Sequence, residues 1–83
     1  MNKQHLVDTL HNLGYTYSKG FVPVRAGQRF DLWSNTCRFQ VWDPEVKRWV
    51  RVWSVRYTDL REEIHGRYLA LFAGPVMLTH FNQ

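Results

Sequence analysis

Eight residues within 29–57 have side chains suited to recognising a ligand: Arg29, Trp33, Arg38, Gln40, Trp42, Trp49, Arg51 and Trp53. Indole rings stack on planar groups, and guanidinium groups lie flat on aromatic faces or pair with phosphates and carboxylates. Gathered on one surface, such residues bind; they do not break bonds. Reaction chemistry has less support. His5 and His11 are six residues apart and fall on different faces of a helix, so they do not form a metal pair. The chain has no glycine-rich phosphate loop, no His-Glu-x-x-His and no cysteine cluster. Glu62 and Glu63 are adjacent, so their carboxylates diverge. Lys19-Gly20 is too slight a pattern for a phosphate cradle and reads as an ordinary loop. A nuclease built on His65 or His80 with a nearby arginine is the remaining enzymatic option. No catalytic residue, metal ligand or cofactor is therefore assigned.

The turn that positions these residues is Asp43-Pro44-Glu45-Val46-Lys47-Arg48. Pro44 presets the first turn position, and the Asp43 carboxylate can accept from the backbone ahead of it. With 44–47 as the loop, Asp43 lies opposite Arg48. Counting back pairs Val41 with Val50, Phe39 with Val52 and Cys37 with Ser54 on one face. The other face receives Trp42 opposite Trp49, Gln40 opposite Arg51 and Arg38 opposite Trp53. A second turn at Asn35-Thr36 adds a strand whose Phe30 and Leu32 join the apolar face, while Arg29, Asp31 and Trp33 join the aromatic one. All four tryptophans then share a side. A slip of one residue would mix the two faces, so the pattern itself specifies the register.

On either side of this meander, helical spacing predicts two helices. Residues 2–13 carry Leu6, Leu10 and Leu13 on one stripe, with Gly14 as the stop. Asp59, with Glu62 three residues later, resembles a capping box, and Leu60, Ile64, Tyr68 and Leu71 follow at helical spacing as far as Gly74-Pro75. Gly66 interrupts that run, and its alternative is a break with a strand over 67–72. Residues 15–25 read as an extended edge segment broken by Gly20 and Pro23, turning at Ala26-Gly27. The stretch 76–81 reads as a short tail strand. The expected fold class is α+β: a three- to four-stranded antiparallel meander with two helices on one face, in the order α-β-β-β-α, as a single domain over residues 1–83.

This order resembles that of double-stranded RNA-binding domains. Those domains, however, place lysines where Asp59-Leu60-Arg61-Glu62-Glu63 stands here, which counts against duplex RNA.

Composition sets the outer limits. The chain has 83 residues, 45% hydrophobic and 22% charged, with a net charge of +4. Residues 25–56 carry seven Lys and Arg against three acids, so this stretch alone accounts for the excess. Such a basic face favours an acidic partner. Cys37 is the only cysteine, which excludes an internal disulfide and suits a packing role. No signal pattern or span-length apolar run is visible, so the expectation is a soluble, cytoplasmic protein that does not bind membranes. The functional expectation is a binding module whose Trp/Arg face takes single-stranded nucleic acid or a nucleoprotein. A small phage-type inhibitor or adaptor docking the same face on a larger protein is the alternative. Self-association as a homodimer or larger homo-oligomer is the third.

Overall fold

The structure, a computed structural model, describes residues 1–17 and 22–82. Among these, helix α1 (Lys3–Asn12) is followed by β1 (Thr16–Tyr17), β2 (Pro23–Arg25), β3 (Gln28–Leu32), β4 (Thr36–Asp43) and β5 (Arg48–Arg56). A 3-10 turn, Tyr57–Asp59, then leads to β6 (Leu60–His65), β7 (Tyr68–Ala73) and β8 (Val76–Asn82). The strands form two antiparallel sheets, ordered β1-β2-β3-β4-β5 and β6-β7-β8. The expected α-β-β-β-α order, with three or four strands and two helices, is therefore corrected to eight described strands and one helix. The likeness in order to double-stranded RNA-binding domains falls with it. No helix of the described residues is long and apolar enough to cross a membrane.

Helix α1 forms where its leucine stripe predicts. The Asn2 side chain accepts from the His5 amide at 2.8 Å, capping the start. At the other end the Tyr15 amide donates to the Leu10 carbonyl at 3.0 Å and the Gly14 amide to that of His11 at 3.1 Å. This is the paired closure of a Schellman ending. The chain then turns back as β1 and β2, with Thr16 opposite Val24 and Tyr17 opposite Pro23. The expected edge segment is thus two short strands, β1 being the outer one. Residues 18–21, Lys19-Gly20 among them, lie outside the described residues.

The second expected helix is a pair of hairpins. His65 pairs with Tyr68 around Gly66-Arg67, and Ala73 pairs with Val76 around Gly74-Pro75. Gly66 and Gly74 have φ of +62° and +57°, as two-residue hairpin loops with glycine at the first central position require. Within a helix Gly66 would cost about 1 kcal/mol relative to alanine. In the loop its left-handed backbone carries no such penalty. Asp59 caps no helix; its carboxylate pairs with Arg56 at 3.3 Å. Glu62 instead faces α1, accepting from Thr9 Oγ1 at 2.9 Å and contacting His5 Nε2 at 2.8 Å. The strand alternative for 67–72 and the tail strand over 76–81 both stand, as β7 and β8.

The inner faces of both sheets and one side of α1 enclose a single core containing Leu6, Leu10, Leu13, Tyr15, Phe30, Cys37, Phe39, Tyr57, Leu60 and Leu71. Phe30 lies between two rings, 5.4 Å from Tyr15 and 4.8 Å from Phe39. Polar groups within this layer are matched. The Tyr15 hydroxyl bridges Gln28 and Thr79 at 2.8 and 2.9 Å. Arg25 donates to the carbonyls of Leu13 and His80 and to Thr79, joining the end of α1 to both sheets.

Two outcomes test this packing. Phe39, 5% exposed, should cost about 3–5 kcal/mol on truncation to alanine, read as a lower urea midpoint; a Phe39→Ala variant near wild-type stability would refute its place in the core. Burial also pushes the Cys37 thiol from 9.0 up to about 12, and burial first and foremost raises the Tyr57 hydroxyl from 10.0 to about 12. Above pH 9 the unfolded chain therefore holds fewer protons than the folded one, and stability falls as pH rises through this window. The urea midpoint should be lower at about pH 10.5 than at about pH 8, with a smaller drop in a Tyr57→Phe, Cys37→Ala double variant. An equal drop in both proteins would contradict the assignment.

Candidate functional site

The tip of the β4–β5 hairpin follows the sequence reading. Asp43 pairs with Arg48, Trp42 with Trp49, Val41 with Val50 and Gln40 with Arg51, and Asp43 Oδ1 accepts from the Glu45 amide at 2.9 Å. Beyond Gln40 a β-bulge changes the pairing. Phe39 faces Trp53, Arg38 faces Ser54 and Cys37 faces Val55, leaving Val52 as the extra residue. The expected pairs Phe39 with Val52, Arg38 with Trp53 and Cys37 with Ser54 are therefore corrected. Packing explains the shift. An unbulged β5 would turn Val52, Ser54 and Arg56 toward the core, and burying a hydroxyl and a charge without partners is costly. The bulge turns Trp53 and Val55 inward instead and leaves Ser54 and Arg56 in solvent.

Trp53 consequently leaves the tryptophan face, and three indoles remain on it. The turn expected at Asn35-Thr36 lies one residue earlier, at Ser34-Asn35, where the Trp33 amide donates to the Thr36 carbonyl at 2.9 Å. On β3, pairing of Phe30 with Phe39 and Leu32 with Cys37 holds the inner side, so Arg29 opposite Gln40 and Asp31 opposite Arg38 point outward. No outward side chain of β3, β4 or β5 is buried, and Trp33 and Trp42 are 51% and 41% exposed. Seven of the eight sequence-derived residues, Arg29, Trp33, Arg38, Gln40, Trp42, Trp49 and Arg51, are brought together here.

Two clusters make up the surface. Near the β4–β5 turn, Trp42 and Trp49 meet edge to face at 5.6 Å, and the Arg29 guanidinium lies 4.4 Å from the Trp49 ring centre. Arg29 Nε donates to Gln40 Oε1 at 2.7 Å, which fixes the guanidinium over the indole. At the other end Arg38 lies 4.6 Å from the Trp33 ring centre, and Trp33 Nε1 donates to Asp31 Oδ2 at 2.9 Å. Arg38 thus stacks on Trp33 alone, not between Trp33 and Trp53. The Tyr57 hydroxyl donates to the Trp33 carbonyl, tying this end to the core.

The charge on this face is unbalanced. The one acid on it, Asp31, accepts from the Trp33 indole N–H and pairs with no guanidinium. Among the described residues no carboxylate lies within ion-pair distance of Arg29, Arg38, Arg48 or Arg51. Of the remaining arginines, Arg25 is engaged on carbonyls, Arg56 on Asp59 and Arg61 on Glu63, while Arg67 lies away from this face in the β6–β7 loop.

The histidines lie away from this surface. His5 is on α1 against Glu62, His65 contacts Glu63 at 3.3 Å, and the His80 ring lies 5.6 Å from that of Tyr68. Sequence reasoning missed two contributors: Val52, half exposed beside Arg51 at the bulge, and Tyr57. The spacing of apolar residues along β5 did carry a sign of the bulge. Val50 and Val52 are two apart, whereas Val52 and Val55 are three apart, a change of phase along one strand.

Comparison with protein-family models, curated proteins and solved structures finds no match to this chain.

The stacked pair Arg29–Trp49 should couple energetically. A double-mutant cycle with Arg29→Ala and Trp49→Ala, read by chemical denaturation, should give about 0.5–1 kcal/mol of interaction. Additive losses would show that the guanidinium does not rest on the indole in solution.

Proposed function

We propose that this protein is a non-enzymatic binding module whose outer sheet face takes single-stranded nucleic acid. One observation carries the reading: Trp33 and Trp42 stand exposed on an uncovered sheet face beside Arg29, Arg38 and Arg51, none of which has a carboxylate partner among the described residues. Bases supply flat apolar faces to the indoles, and phosphates supply the missing negative charge. A single strand suits the surface better than a duplex, because stacked bases inside a duplex offer no face to a side chain. The antiparallel sheet supports both ends of the site on strands, so the two clusters keep their separation without a ligand. Pre-organisation of this kind reduces the entropy lost on binding.

The test is titration of the protein with short oligothymidylate and oligouridylate, followed by tryptophan fluorescence at several salt concentrations. Binding should weaken from about 50 mM to about 200 mM salt, with roughly 0.7 in logarithmic slope for each phosphate contacted. Arg51→Ala should remove about one such increment, and Trp42→Ala should cost about 1–3 kcal/mol of binding while leaving the fold intact. Trp53→Ala should bind as the wild type does. Absence of binding to either oligonucleotide at low salt would refute the reading.

A further inference from the structure

The free edge of β5 presents a second surface. This nine-residue strand, the longest of the eight described, pairs on one side only, with β4. Among the described residues, no side-chain hydrogen bond or ion pair involves residues 48–55. The free edges of the three-stranded sheet are different: on β6, Leu60 is buried and Glu62 is tied to α1, while on β8 the His80 carbonyl accepts from Arg25. A long unpaired edge is a template for another strand.

The side chains along this edge specify what that strand would be. On the inner side Val50 and Trp53 are 40% and 42% exposed at the margin of the sheet. On the outer side Arg51 and Arg56 point to solvent, and the strand contains no acid. Arg56 is offset by Asp59, but Arg48 and Arg51 have no carboxylate partner among the described residues, so a second β5 would bring uncompensated guanidinium groups together along one seam, which like-charge repulsion disfavours. An acidic strand meets no such repulsion.

We propose that the β5 edge accepts an extended segment of a partner protein as a sixth strand, with acidic residues on the side of Arg51 and apolar residues on the side of Val50 and Trp53. Main-chain hydrogen bonds along the edge hold the segment, and the alternation of its side chains sets its orientation. This site shares Arg51 with the proposed nucleic-acid face, but its main-chain edge and its inner residues Val50 and Trp53 take no part in that face.

The probes are a synthetic peptide alternating Glu and Val, a matching Lys and Val peptide, and two versions of the acidic peptide N-methylated at alternate residues, one for each edge. The acidic peptide should bind, the basic one should not, and amides of 48–56 should gain protection from hydrogen exchange. One N-methylated version should lose binding and the other retain it. Arg51→Glu should reverse the preference to the basic peptide, with Val50→Asp as a second variant that weakens binding of the acidic one. Trp42→Ala should leave peptide binding unchanged, which separates this site from the nucleic-acid face. Equal binding of both N-methylated versions, protection outside β5, no binding of the acidic peptide, or a protein dimer that the peptide does not dissociate would each overturn the proposal.

Discussion

The contact between Phe30 and Phe39, with ring centres 4.8 Å apart beneath the five-stranded sheet, sets the parity of everything on the opposite side. Side chains alternate along each strand, so burying these two rings sends Arg29, Asp31, Arg38 and Gln40 outward. A shift of one residue would place guanidinium groups in the core and phenyl rings in water, a far larger penalty than any single contact on the surface could offset. The aromatic and cationic face is therefore a consequence of the core. Its internal stacking, Arg29 on Trp49 and Arg38 on Trp33, then adds local order.

The bulge on β5 follows from the same demand. A strictly alternating strand cannot put both Val50 and Val55 on the inner side, because they are five residues apart. Inserting Val52 as an extra residue resolves the conflict and divides β5 into two halves of opposite phase. The half near the turn presents Trp49 outward beside Trp42, and the other half presents Ser54 and Arg56 outward. Trp53 is thereby removed from the stacking surface and left at the inner margin of the sheet.

Much of this was legible in the sequence, and the exceptions share a cause. The Asp43-Pro44 turn fixed the hairpin tip through local backbone chemistry, and Leu6, Leu10, Leu13 and Gly14 marked a helix and its end without ambiguity. Residues 60–73 did not, because a separation of four, as between Leu60 and Ile64, suits one helix face and also two steps of a strand. Asp59 and Glu62 reproduced the spacing of a capping box while serving other contacts, with Arg56 in one case and α1 in the other. Gly66 was the discriminating residue: a defect in a helix, a requirement in a tight hairpin loop. In the candidate site, the side chains near the turn were placed correctly. Those past Gln40 depended on a bulge that only the competition between core positions across two strands decides.

The central claim is that three indoles on the outer sheet face, and not the fourth, meet the ligand. It is tested most directly by the side-chain N–H signals of the four tryptophans in a nitrogen–proton correlation spectrum during titration with oligothymidylate. The account predicts that Trp33, Trp42 and Trp49 shift progressively while Trp53 stays in place. Movement of Trp53 alone, or of none of the four at an oligonucleotide concentration that saturates binding, would contradict it.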